Sequence, residues 1–299
     1  MKLNSKTLSL TLYGVILFLI FVYLTFPFDL LKDKIFTTIQ SQTGLTIEAE
    51  KVSPLLIGGP GISFSQTTLE GTIPNLNYRI SPPLKLKTLR VGISPLSLMM
   101  LHPKVKIGTN IFGGGLKVHA KFKDFFKTAP QTIWFDVDDF KLENLINIPI
   151  NLNGDISIKG SITGEINNPK SLSGDLAGKI KDIKLQKGTY QGFEIPELTL
   201  KNGSIKGTLL NGELTFEEFY LGTPSEDLHL IVDGKIRLGR RLQFSQADLI
   251  LRFKLSEKLK GELKSLLPLI QSALKQDGYH AFMIRGRLGA GLPLPVPLP

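Results

Sequence analysis

Two hydrophobic patterns divide the chain. From Leu8 to Phe28 the residues are apolar or uncharged, and between Lys6 and Asp29 Tyr13 and Tyr23 are the sole ionisable side chains. About 20 such residues in an α-helix cross the hydrocarbon of a bilayer. Asp29 to Thr43 then carries Leu30, Leu31, Ile35 and Ile39 at helical spacing and stops at Gly44, which predicts a short helix packed on the domain that follows. At Leu45 the period changes to two. Leu45, Ile47 and Ala49 alternate with Thr46, Glu48 and Glu50, and Pro54, Gly58, Gly59, Pro60 and Gly61 break the chain before the next strand.

The alternation is clearest from Leu152. Leu152, Gly154, Ile156, Ile158, Gly160, Ile162, Gly164 and Ile166 fall on one face, and Asn153, Asp155, Ser157, Lys159, Ser161, Thr163, Glu165 and Asn167 on the other. Glycines on the apolar face predict bends in the sheet. After Asn167-Asn168-Pro169 the pattern resumes with Leu172, Gly174, Leu176, Gly178 and Ile180, and Asn211-Gly212 and Asp233-Gly234 are two hairpin signals. Gly, a polar residue, then Ile or Leu recurs at Gly154, Gly174, Gly212 and Gly234, which reads either as the start of each strand after a turn or as the trace of similar strands wound into a meander. Residues 45 to about 255 are thus expected to form successive antiparallel strands sharing an apolar face. The candidate cover for that face is an amphipathic helix from Ser256 to Gln276, with Leu259, Leu263, Leu266, Leu267, Ile270 and Leu274 as its stripe and Pro268 kinking or splitting it. The final Gly291 to Pro299 alternates Pro with aliphatic residues and predicts an extended, loose tail.

Composition adds location and partners. The apolar run is longer than a signal-peptide core and lacks a small-x-small site after it, so it reads as a retained anchor. Lys2 and Lys6 precede it and Asp29 follows it, which places the N-terminus in the cytoplasm. The rest then lies across the membrane, in the periplasm of a Gram-negative cell. At 42% hydrophobic and 21% charged, that rest can bury a sizeable core. Cysteine is absent, which removes disulfide and thiol chemistry. The net charge of +10 stays strongly positive once Lys2 and Lys6 are set aside and favours anionic lipid head groups or acidic partners. Its Lys and Arg are scattered along strands without a dense run, which argues against nucleic acid.

Catalytic and metal-binding chemistry finds no foothold in the sequence. His102, His119, His229 and His280 show no ligand spacing. No nucleophile elbow, phosphate loop or dinucleotide fingerprint occurs. Gly113-Gly114-Gly115 reads as a hairpin turn, Asp136, Asp138 and Asp139 as the solvated face of a strand, and Ser272-Ala273-Leu274-Lys275 lacks the companion motifs of its enzyme class. No catalytic, cofactor or metal site is therefore expected.

The order of parts resembles the N protein (GspN) family of type II secretion systems. The resemblance is carried by the basic start and single span, the helix closing on Thr43-Gly44, Ile47-Glu48-Ala49-Glu50-Lys51-Val52, Val91-Gly92-Ile93-Ser94-Pro95-Leu96-Ser97-Leu98 with Lys104-Val105-Lys106-Ile107, and Phe282 to Leu288 before a proline-rich end. The opening also resembles AsmA-type proteins, whose β-rich periplasmic domains form lipid-accommodating grooves. These resemblances imply a mainly β protein with few helices, organised as a cytoplasmic tail (1–7), a transmembrane helix (8–28), a juxtamembrane helix (29–44), an elongated, curved antiparallel sheet (45–290, with the helix at 256–277) and a proline-rich tail (291–299). The implied function is a non-enzymatic, inner-membrane-anchored scaffold or adaptor bound to other type II secretion components. The alternative is an AsmA-like lipid carrier with Ile156, Ile158, Ile162, Ile166, Leu176 and Ile180 lining its groove. An open apolar face favours the carrier, and a face sealed by the Ser256 to Gln276 helix favours the scaffold.

Overall fold

Each alternating segment has one apolar side and can bury it only beside its neighbours, and the chain answers with a meander. In the computed structural model the described residues are 13–15, 17, 18, 21–23, 25–27, 32, 33, 36, 37, 40 and 41 of the first 43. From 44 onward they are all but 56–58, 74–77, 125–128, 146–150, 166, 167, 191, 192, 242, 243, 265, 266, 289–293 and 299. The strands are β1 (Leu45–Leu55), β2 (Gly61–Ile73), β3 (Tyr78–Ile93), β4 (Lys104–Ile111), β5 (Gly114–Lys121), β6 (Thr132–Lys141), β7 (Leu152–Thr163) and β8 (Ser173–Leu185). They continue as β9 (Gly188–Tyr190), β10 (Phe193–Ile195), β11 (Leu198–Leu210), β12 (Glu213–Leu221), β13 (Leu228–Arg237), β14 (Gln246–Leu255), β15 (His280–Arg287) and β16 (Val296–Pro297). All but β9 and β10, which pair with each other, form one 14-stranded antiparallel sheet in chain order. The protein is mainly β, as its alternation predicts.

Register carries one apolar face through the whole sheet. Val91 pairs with Ile107, Ile107 with Val118, Val118 with Phe135, and Ile133 with Ile162. Farther on, Ile183 pairs with Leu200, Leu209 with Leu214, Leu214 with Ile236, and Leu251 with Phe282. Bulges keep this face in phase where strict alternation would lose it. In β6, Val137 pairs with Ile158 and Phe140 with Ile156, so Asp138 and Asp139 stand side by side without turning the strand inside out. Between β7 and β8, Asn153 pairs with Lys184 and Asp155 with Lys181, so Asp182 and Ile183 stand opposite Gly154 alone and β8 carries the extra residue. Asp139 and Asp182 both take the left-handed region at φ 50°.

The two hairpin signals have opposite outcomes. Asn211 and Gly212, at φ 52° and 76°, form the tight turn between β11 and β12, whose last pair is Leu210 with Glu213. Asp233-Gly234 is no turn, because β13 runs unbroken from Leu228 to Arg237 and Gly234 pairs with Leu249. Leu228, Leu230, Val232, Gly234 and Ile236 stay in phase across it, and pairing with both neighbouring strands outweighs the local turn preference. The tail likewise departs from expectation: Val296 and Pro297 pair with Met283 and Phe282 as edge strand β16, and the Leu298 amide donates to the Ala281 carbonyl at 2.9 Å.

The expected helix at 256–277 is three short pieces: α3 (Glu257–Glu262), α4 (Leu267–Ile270) and a 3-10 turn, Gln271–Ala273. The Ser256 side chain accepts from the Leu259 amide as N-cap, and Pro268 sits at the second position of α4, where its missing N–H costs nothing. Together these pieces form the connection between β14 and β15 and lie at one end of those strands. Two further short helices are α1 (Pro95–Met99) in the β3–β4 connection and α2 (Leu142–Leu145) after β6.

At the N-terminus the described residues of 13–25 are helical, as are those of 32–41. About half of the expected span over 8–28, and all of the stripe Leu30, Leu31, Ile35 and Ile39, lie outside the described residues; among those described, no helix is long and apolar enough to cross a membrane. The Gly44 amide donates to the Gln40 carbonyl with φ 71°, ending the second helix where the sequence predicts.

Candidate functional site

The apolar face is covered at places along its length and only partly buried between them. At one end, Ala49, Val52 and Phe64 form a buried cluster under Tyr23 and Phe36. The Phe36 and Phe64 rings lie 5.3 Å apart. A second cluster, Leu142, Ile183 and Leu200, lies where α2 folds back onto β7, β8 and β11. A third, Val232, Ala247 and Leu249, is fenced by Phe216, Phe219, Leu251 and Ile284. Between the first two, Val105, Ile107, Leu116, Val118, Ile133, Phe135, Ile158, Ile162 and Leu176 face the same way and are all half-exposed. Among the described elements, none but neighbouring strands and α2 packs extensively on β4 to β8.

The sequence-predicted groove residues divide between these zones. Ile156 and Ile180 pack against the α2 cluster. Ile158, Ile162 and Leu176 lie in the half-exposed stretch, and Ile166 lies outside the described residues. Glycines set the depth of this stretch: a Cβ on Gly160 would stand 2.6 Å from the Phe135 ring and 2.5 Å from the Asp175 carbonyl oxygen, and one on Gly178 2.7 Å from Ile205. Large side chains therefore lie over glycines of the next strand, and the backbone itself floors the groove there. Strands lie about 4.8 Å apart, so β4 to β8 present roughly 19 Å of apolar face, somewhat more than the roughly 15 Å hydrocarbon depth of one leaflet.

The three-piece connection after β14 does not reach that stretch. Leu259 and Ala273 are buried, as are Leu255 and Ala281 of the strands they join, while Leu269 and Leu274 are exposed. His280 Nδ1 meets the Ile270 carbonyl at 3.0 Å and ties α4 to β15.

The opposite face is polar and carries its charges unevenly. From β11 to β15 cations meet carboxylates across strands: Lys206 with Glu218 at 2.6 Å, Lys235 and Arg237 with Glu213 at 2.9 and 3.1 Å, and Arg285 with Asp248 at 3.0 Å. Lys235 first, and Arg237 next, hold the Glu213 carboxyl below the ordinary carboxylate range, and Lys206 does the same for Glu218. In the shallow groove lined by Glu213, Lys235, Arg237, Asp248, Arg285 and Arg287, both carboxylates are paired with cations of its own walls. On β4 and β5 the balance differs. His119 lies opposite Lys106 and Trp134, and partial burial together with Lys106 and Lys104 lowers its pKa.

The remaining sequence candidates are dispersed. His229 Nδ1 meets the Tyr279 hydroxyl at 2.8 Å, and burial lowers its pKa. Asp136 pairs with Lys159 at 3.4 Å, and the Lys275 ammonium donates to the Leu298 carbonyl at 2.7 Å. Phe112 and Gly113, at φ 53° and 78°, make the β4–β5 hairpin turn expected there. Among the described residues no three His, Asp or Glu side chains come together as a metal site. Sequence reading passed over one feature at the β3–β4 connection, where Leu96, Met100 and Leu101 stand exposed. Its signal was the run Leu96 to Leu101, interrupted by a single serine between Pro95 and His102. Compared with protein-family models, with curated proteins and with solved structures, the chain matches none.

Proposed function

We propose that the protein is a membrane-tethered lipid-binding protein whose elongated, curved sheet holds an acyl chain along its apolar face. The observation that carries this reading is the half-exposed apolar stretch of β4 to β8, continuous in register with the covered clusters on either side. Water against such a face costs free energy in proportion to its area, and contiguous exposed apolar patches on soluble domains mark binding sites. An acyl chain fits a face with no directional polar group in it. The apolar run 8–28 would anchor the chain in the inner membrane, with residues 1–7 cytoplasmic and the sheet periplasmic. This is the arrangement the AsmA resemblance implies, and it needs no catalytic group.

The test is photocrosslinking of the full chain in native membranes. A benzophenone amino acid is placed at Ile158 or Leu176 on the apolar face, and at Lys159 or Asp175 on the polar one. Lipid adducts at the first pair and their absence from the second are the expected result. Protein adducts alone at Ile158 and Leu176 would instead support a scaffold role in a type II secretion system, the reading implied by the other resemblance. That second reading has one supporting observation, the position of β1 as an edge strand, since edge strands recruit partners by strand addition.

A further inference from the structure

Three features of the molecule meet at one end of the first strands. The Tyr23 hydroxyl, near the outer end of the proposed anchor, donates to the Leu55 carbonyl at 3.0 Å and accepts from the Gly61 amide at 2.8 Å. It therefore holds the β1–β2 turn at the outer end of the apolar run. From there the next helix runs back along the sheet, with Phe36 over Phe64 and the Gln40 side chain donating to the Thr46 hydroxyl at 3.3 Å. The β1–β2 turn is thus the part of the sheet nearest the point where the anchor leaves the bilayer. The β3–β4 connection sits beside that turn, with the Ile93 amide donating to the Pro60 carbonyl at 2.9 Å.

This connection is ordered and yet presents apolar side chains outward. The Ser97 hydroxyl donates to the Ser94 carbonyl at 2.6 Å and accepts from the Lys104 amide at 2.9 Å, and the His102 amide donates to the Ser97 carbonyl at 3.1 Å. On this clamped frame Leu96, Met100 and Leu101 are 62%, 62% and 67% exposed. Leu101 takes φ 58°, a left-handed conformation that costs a leucine energy and is kept where the surroundings impose it.

Around this knob lie cations without carboxylate partners. Among the described residues no carboxylate lies within ion-pair distance of Lys104, Lys106, Lys121 or Lys123, in contrast to the cross-strand pairs of β11 to β15. Lys104 lies over the Trp134 ring, 4.9 Å from its centroid, so a half-exposed indole joins the lysines. Exposed aliphatic tips, lysines behind them and a tryptophan at their level is the composition of a surface that enters a lipid interface.

We infer that the β3–β4 connection is a second membrane contact. Leu96, Met100 and Leu101 enter the head-group region of an anionic leaflet beside the anchor, and Lys104, Lys106 and Lys121 meet its phosphates. Such a contact would fix the mouth of the apolar face against the bilayer from which the lipid comes; in that sense the inference rests on the proposed anchor and groove. An acidic protein surface is the competing occupant. The exposed aliphatic tips favour the bilayer over it.

The absence of cysteine makes the test direct. Single variants Leu96→Cys, Leu101→Cys and, between β8 and β9 at the opposite ends of the strands, Lys187→Cys are labelled with an environment-sensitive fluorophore. The full chain is placed in vesicles of phosphatidylcholine with phosphatidylglycerol, or of phosphatidylcholine alone, carrying a nitroxide lipid quencher. Quenching severalfold stronger at 96 and 101 than at 187 is expected. It should weaken with phosphatidylcholine alone and in Lys104→Glu/Lys106→Glu/Lys121→Glu. Equal quenching at all three positions overturns the inference. So does a shift at 96 and 101 with polyglutamate but not with vesicles, which would assign the surface to an acidic protein. An alkaline wash of the same vesicles scores the anchor separately: release of the chain fails the helix, while the quenching recorded before the wash still decides the loop.

Discussion

At the β1–β2 end and under α2, the apolar face has a cover; over the part of β4 to β8 that α2 does not reach, with the same alternation and register, no described helix lies on it. Phe64 at 3% and Leu200 at 2% exposure sit in closed clusters, whereas Phe135, Ile158, Ile162 and Leu176 remain half-exposed in an equivalent pattern. The difference comes from what the chain lays over the strands. Tyr23 and Phe36 arrive from the N-terminus, α2 folds back immediately after β6, and no described helix crosses the strands between. A sheet stabilised by its own cross-strand pairs and by clusters along its length can leave one stretch open, and that stretch is then available for a ligand.

Substitutions on the two zones sharpen this contrast most. Leu200→Ala should cost about 2–5 kcal/mol, since it empties a closed cluster. Ile158→Ala should cost less, about 1–2 kcal/mol, because its side chain is only partly buried. Urea unfolding of the full chain in detergent, followed by circular dichroism, gives both values. Equal losses would mean that Ile158 is as covered as Leu200 and would close the proposed groove. Between these two in size stands Gly160→Ala. The new methyl group meets the Asp175 carbonyl and the Phe135 ring, and overpacking of this kind costs about 1–3 kcal/mol. If the β4–β8 stretch holds lipid, the same variant should also reduce the lipid crosslinks at Leu176, the cross-strand partner of Gly160.

Much of the sheet is legible in the sequence, and the failures share a cause. Strict alternation from Leu152 to Ile162 predicts β7 and its face directly. Where two polar residues stand together, as at Asp138-Asp139 or Lys181-Asp182, a period-two reading stops, and the structure shows bulges that absorb the extra residue. Asp233-Gly234 misleads in the other direction, because turn preference is local while strand continuity is decided by β12 and β14 on either side. The amphipathic stripe from Leu259 to Leu274 is present as composition, but the chain breaks it into short pieces that serve β14 and β15. Of the groove candidates, the residues are recognisable from alternation, but which of them are covered depends on α2, whose four residues carry no strong helical signal. Leu96, Met100 and Leu101 were visible only as an apolar run, since their exposure depends on the Ser94–Ser97–Lys104 clamp.

The polar face offers a smaller contrast of the same kind. Glu213 is held by Lys235 and Arg237, whereas Lys106 stands among Lys104, His119 and Lys117 with no carboxylate at ion-pair distance among the described residues. Glu213→Gln should therefore lower the thermal midpoint slightly, and Lys106→Gln should leave it unchanged or raise it by relieving repulsion. The pH dependence gives the sign. A carboxyl held below its unfolded value contributes stability above about pH 4.3, the ordinary glutamate value, and loses it as pH falls through the lower folded value, because the unfolded chain takes up the proton first. The difference in midpoint between wild type and Glu213→Gln should then be constant near neutrality and shrink towards zero in acid, while Lys106→Gln shows no such convergence in that range. Parallel curves for Glu213→Gln down to strong acid would mean that the Glu213 carboxyl is no more stabilised by Lys235 and Arg237 than by water, and the two halves of the polar face would no longer differ in the way their geometry implies.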